Sequence, residues 1–116
     1  MPSRAARAAG AAGEQASYHQ SVELAALPGS ELILAGIGDL RSGRRTAAAL
    51  LVAVGADRLR TAGLDVPPIA VGRDAPEHQL YELLALTEPD AAHGRYNALI
   101  RRLVSFERAL ERAQAG

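Results

Sequence analysis

Cysteine, lysine and tryptophan are absent from the 116-residue chain, and its aromatic content is three tyrosines and one phenylalanine. Without cysteine there is no disulfide, thiolate nucleophile or zinc–thiolate site. Without lysine, Schiff-base and lysine-nucleophile mechanisms are excluded. With aromatics at 3%, the core must come from Leu, Ile, Val and abundant Ala, a composition that favours closely packed helices over a β-rich core. Net charge is zero, which argues against a general nucleic-acid or membrane-surface binder. No run of 18 apolar residues exists, so nothing in the sequence reads as a membrane span. All thirteen basic residues are arginine. Together with abundant Ala, Gly and Pro, this points to the codons of a GC-rich bacterial genome before it points to selection for bidentate anion contacts.

The first thirteen residues, MPSRAARAAGAAG, lack the apolar region of a secretory signal and read as a disordered tail, with a single helical domain over 14–116 and a cytoplasmic protein as the expectation. A first helix is expected over 14–27, with Tyr18, Val22 and Ala25 on one face and Pro28-Gly29 ending it. Ser30 can cap the next segment, in which Ile33, Ile37 and Leu40 fit a helical face, although ELILAG reads equally as a buried strand. The stretch 44–63 is apolar nearly all round from Ala47 to Ala56, as a central helix would be. Gly63 stands where a left-handed terminator is wanted, Leu64 can supply the accompanying apolar contact, and Pro67-Pro68 forbid continuation. Asp74-Ala75-Pro76-Glu77 reads as a capping box opening a helix that turns Leu80, Leu83 and Leu84 inward. From about 88 to 114, Ala92, Tyr96, Leu99, Leu103, Phe106, Leu110 and Ala113 alternate at spacings of four and three, an unbroken amphipathic stripe. The expected fold is therefore all-α: a compact bundle of four or five helices with a long C-terminal amphipathic one. Charge alternates by segment, −3 over 14–43, +3 over 44–63, −5 over 64–90 and +3 over 91–116, as neighbouring helices of complementary charge would show.

Three groups of residues invite a chemical reading. Gly38 and Gly43 have the spacing of a phosphate-binding P-loop, but Arg44 stands where its lysine belongs and Arg45 displaces the hydroxyl of Thr46 by one place. What remains is an anion site at a helix N-terminus, Arg41, Arg44, Arg45 and Thr46, set against a plain helix–turn–helix corner with Gly43 in the turn and Ser42 or Thr46 as cap. His19/Glu23 and His78/Glu82 each place two metal-ligand types one helical turn apart, with His93 as a spare ligand. Such pairs are more often solvated contacts. Arg101, Arg108 and Arg112 line one face of the last helix, but Glu107 and Glu111 interrupt the field, so nucleic-acid binding is not expected. Asp57 and Arg58 lie inside an apolar helix, where a buried charge would need a partner. No serine has the strand–turn–helix setting of a nucleophile.

The reading is a non-enzymatic interaction module, self-associating or docking on a protein through Tyr96, Leu99, Leu103, Phe106 and Leu110, with no cofactor. The alternative is a small-ligand protein that binds phosphate, nucleotide or metal through the arginine corner or the His/Glu pairs.

Overall fold

A computed structural model describes residues 23–68 and 74–115. Among them are five α-helices and no strand: α1 (Ser30–Arg41), α2 (Ala47–Val54), α3 (Ala56–Thr61), α4 (Pro76–Thr87) and α5 (Ala92–Ala115). The all-α bundle expected from the Ala-rich, aromatic-poor composition is thus the observed architecture. The expected tail over 1–13 and the expected first helix up to residue 22 lie outside the described residues. At its described end that helix is replaced by a short 3-10 turn, Leu24–Ala26, flanked by extended Glu23 and Leu27.

The ambiguous stretch ELILAG is helical. Ile33 and Ile37 are buried on one face of α1, and Ser30 is the first helical residue instead of the cap. The cap position is taken by Gly29 at φ +80°, and the Ser30 hydroxyl donates to the Ala25 carbonyl at 3.0 Å. Gly29 is needed because the chain turns hard against α5: a Cβ there would lie 3.2 Å from the Arg102 carbonyl oxygen, on top of the positive φ.

α1 and α2 form an antiparallel hairpin around Gly36. A Cβ on Gly36 would lie 2.6 Å from Val52 Cγ2 and closer still to the Ala48 carbonyl oxygen, so the two backbones are in contact through the missing side chain. The corner between them is the simple one: Gly43 takes φ +74°, and Thr46 caps α2 by accepting the Ala49 N–H at 3.1 Å. α2 has no polar side chain, and five of its residues are buried. It packs against α1, α4 and α5.

The single helix expected over 44–63 is broken at Gly55 into α2 and α3. The cause is α5. A Cβ on Gly55 would meet Glu107 Oε2 at 2.5 Å and the Leu103 methyls at 3.0 and 3.1 Å, so α5 presses on the backbone where the helix yields. α3 ends as expected. Gly63, at φ +99°, donates to the Arg60 carbonyl, and Leu64 donates to the Leu59 carbonyl at 3.0 Å, the paired bonds of a Schellman termination. The strap that follows is held by Arg60, whose Nε and Nη2 donate to the Val66 and Pro67 carbonyls at 3.1 and 3.0 Å. Val66 is buried beneath it.

Asp74 does not cap α4. It lies one residue too far upstream: Ala75 holds the cap position with no side-chain bond, Pro76 opens the first turn, and it is the Asp74 carbonyl that accepts a bond from Gln79 Nε2 at 2.8 Å. α5 begins at Ala92, not near Glu88, because the Glu88 N–H closes α4 on the Leu84 carbonyl and Pro89 follows. Glu88 therefore reaches α5 from the turn, pairing with Arg95 at 3.4 Å. The α5 stripe is buried at Ala92, Leu99, Leu103, Phe106 and Leu110, half-buried at Tyr96, and ends before Ala113, which is exposed. Its 24 residues span about 36 Å, enough to run the length of the core.

Two neighbouring glycines of α1 should respond in opposite directions to alanine. Gly36→Ala gains helix propensity of about 1 kcal/mol but forces a methyl into backbone, and overpacking of that kind costs roughly 1–3 kcal/mol or more, so the net change is destabilising. Gly38→Ala meets nothing within 4 Å and should stabilise by about 0.5–1 kcal/mol. Urea denaturation midpoints with unchanged slopes check both signs. Phe106, with no exposed surface, is the one fully buried aromatic among the described residues, and Phe106→Ala should cost roughly 3–5 kcal/mol in the same assay.

Candidate functional site

The corner between α1 and α2 brings the predicted arginines near one another but sends them to different partners. Arg41 leaves the corner to pair with Asp65 at 3.5 Å, with both side chains largely exposed. Arg44 Nε donates to Asp39 Oδ1 at 3.2 Å, and its backbone N–H donates to the Asp39 carbonyl at 2.8 Å. The Thr46 hydroxyl donates to the other Asp39 oxygen at 2.6 Å while accepting from Ala49. These bonds, Thr46 first, hold the Asp39 carboxyl below its usual range. The chain thus places its own carboxylate beside the N-terminus of α2. An external anion would have to displace Asp39 to use Arg44 and Thr46 together.

Arg45 is different. Its guanidinium donates to the side-chain oxygen of Gln79 on α4, and no carboxylate lies within ion-pair distance of it among the described residues. Gln79 is only 5% exposed, and its amide orientation is set because its nitrogen is bound to the Asp74 carbonyl. This pair helps line a half-enclosed cleft of about 190 Å³, with Leu40, Gly43, Ala49, Leu50, Pro68 and Arg44 as its other lining residues. Neither Gln79 nor the cleft was anticipated from sequence. A signal existed: Gln79 falls four residues before Leu83 and next to Leu80, on the inward face of α4.

The second polar cluster joins α3 to α5. Arg58 makes two bonds to Glu111, Nε to Oε2 at 2.6 Å and Nη2 to Oε1 at 2.8 Å, and a third from Nη1 to Glu107 Oε1 at 3.2 Å. Of the two charges noted inside the apolar stretch, Asp57 is exposed and pairs with Arg60 at 3.6 Å, and Arg58 is half-exposed; the buried charge is the distant partner of Arg58, Glu107. Glu107 sits four residues after Leu103 and three before Leu110, beside the apolar stripe, which is the spacing that could have identified it. Burial pushes the Glu107 carboxyl up, partly offset by the Arg58 charge, whereas the bond from Arg58 holds Glu111 down. The pairing runs between two segments that are each net positive, so the segment charges conceal it.

Of the metal candidates, Glu23 is exposed and His19 lies outside the described residues. His78 and Glu82 do meet, at 3.3 Å, and Asp74 joins them so that one ligand atom from each lies within 4.8 Å of the others. All three are exposed. His93 is directed to Asn97 at 3.2 Å, one turn along α5. Arg101, Arg108 and Arg112 are exposed on the outer face of α5. Leu99, Leu103, Phe106 and Leu110 are covered by the chain's own helices and are out of reach of a second molecule in this conformation, while Tyr96 packs against Tyr81 with ring centroids 5.6 Å apart. No helix among the described residues is long and apolar enough to cross a membrane.

In comparisons with known proteins, the chain matches no family model, no curated protein and no solved structure.

The Arg58 cluster predicts a pH signature. Because the folded-state pKa of Glu107 is raised, its contribution favours the folded chain at low pH and is lost as pH rises through that value. Glu111, with a lowered pKa, contributes in the opposite sense, and that contribution is lost as pH falls. Arg58→Ala removes the cation from both and leaves Glu107 buried and charged. Its deficit relative to wild type should be largest near pH 7 and shrink toward the ordinary glutamate value of 4.5. Adding Glu107→Gln to Arg58→Ala should recover part of the loss. Urea midpoints of the three proteins across that pH interval check both statements.

Proposed function

We propose that this chain is a non-enzymatic helical interaction module of the cytoplasm, acting by self-association or by docking on a protein partner. The observation that carries the reading is Leu86, which is 82% exposed on the last turn of α4. Full burial of such a side chain is worth about 1.5–3 kcal/mol, a gain this fold leaves to another surface. Tyr81, backed by Tyr96 on α5, is also partly exposed on α4, about 140° around the helix from Leu86. The site offered to a partner is thus the α4 surface and its junction with α5, with Tyr96 the one member of the expected interface that the fold leaves accessible.

Sedimentation velocity from about 1 to 500 µM tests the self-association arm. A concentration-dependent dimer is expected, weakened at least tenfold by Leu86→Ser, about 1.4 kcal/mol or more. The substitution should leave the unfolding midpoint nearly unchanged because the side chain is exposed. A monomer at every concentration would reject self-association.

A second reading, small-ligand binding, is supported by the cleft beside Arg45, which combines apolar walls with a guanidinium whose described partner is a neutral amide.

A further inference from the structure

The cleft between the α1–α2 corner, the Leu64–Pro68 strap and α4 has a chemistry that narrows what it can hold. Its walls are aliphatic, from Leu40, Ala49, Leu50 and Pro68. Its volume of about 190 Å³ is somewhat larger than the roughly 150 Å³ of an apolar cavity known to take up a benzene-sized molecule. Its lining also includes Arg45, whose planar fork of five N–H donors suits a carboxylate. Arg44, in the same lining, is already matched by Asp39, so among the described residues the charge available to a ligand is that of Arg45.

Gln79 prepares that guanidinium. Its amide nitrogen is committed to the Asp74 carbonyl at 2.8 Å, so its oxygen is the atom presented to Arg45. A neutral amide oxygen thereby occupies part of the fork, and no carboxylate among the described residues compensates the positive charge. A second acceptor bearing negative charge would complete it. Highly hydrated anions such as phosphate gain nothing from the aliphatic walls, whereas a compact apolar body gains from burial against them.

We propose that this cleft binds a small free monocarboxylate with an apolar body about the size of one ring, its carboxylate on Arg45 beside Gln79 and its body against Leu40, Leu50 and Pro68. This inference rests on the small-ligand reading above and adds the ligand's class.

The test is a titration of the full chain, labelled with nitrogen-15, followed by amide chemical shifts. Benzoate is the probe, benzamide its neutral counterpart of the same shape, and acetate the carboxylate without a body. Benzoate should give saturable shifts at Leu40, Ala49, Leu50 and the Gln79 side chain. Benzamide and acetate should each bind at least tenfold more weakly. Arg45→Gln, at an exposed position, should fold normally and weaken benzoate at least tenfold. Gln79→Glu, which supplies Arg45 with an internal carboxylate, should weaken it similarly. Equal binding of benzoate and benzamide, or undiminished benzoate binding by Arg45→Gln, would overturn the carboxylate assignment while leaving a ligand cleft in place. No saturable shift from any probe up to about 10 mM, equivalent to less than roughly 3 kcal/mol of binding, would overturn both.

Discussion

A helix with no polar side chain, AAALLVAV, has to be covered on every side, and most of the architecture follows from how α2 is covered. On one side α1 comes so close that only glycine fits at position 36. On the others α4 and α5 supply Leu80, Leu84, Leu99 and Leu103 to the same core. Small side chains set the geometry: Ala48 and Gly36 let backbones touch, and Ala49 and Ala53 are buried where larger residues would hold the helices apart. A chain with a single phenylalanine and no tryptophan gains its packing density by bringing helices close instead of filling space between them.

The same pressure accounts for the break at Gly55 and for the buried charge. α5 approaches so near that Leu103 and Glu107 occupy the space a side chain at position 55 would need. Glu107 is carried into that contact by its place beside the stripe, and Arg58, one turn past the break, reaches back to it while holding Glu111 with two bonds. The break and the ion cluster are therefore linked: α3 departs from the line of α2 at the residue where α5 passes, and Arg58 bridges the two. A buried ion pair is poor grounds for stability as such, because desolvation offsets the attraction. It does impose a register, since α5 shifted by one residue would leave Glu107 without Arg58.

At the opposite corner, an internal carboxylate decides the chemistry. Asp39 takes the hydroxyl of Thr46 and the guanidinium of Arg44, groups that would otherwise recommend the α2 N-terminus to a phosphate. Arg41 is drawn off to Asp65. That leaves Arg45, turned toward α4 and an aliphatic cleft, as the corner's cation whose described partner is neutral. The site differs from the one its sequence suggests by which arginine is left over, and the answer lies in contacts between residues 34 positions apart.

Local physics was legible in the chain itself. The all-α class, a cap at Ser42 or Thr46, the turn at Gly43, the Schellman end at Gly63-Leu64 and the α5 stripe each depend on a few consecutive residues or a repeated spacing, so composition and periodicity suffice; packing selected Thr46. What the sequence could not determine were the events that depend on a second element. ELILAG is a helix whose Gly36 meets Ala48 and Val52 of α2; as an isolated stretch its apolar run suits a strand equally well. Helix 44–63 split at Gly55 because α5 leans on it. Asp74 lost its capping role by a single residue of offset at the start of α4. Glu107 was buried, the arginines of the corner were parted and Gln79 was placed at a cleft by packing. Periodicity reports which face of a helix is apolar, but not which helix will cover it or how near it will come. Distances between helices, and hence charge pairing and cavities, therefore belong to the tertiary structure alone.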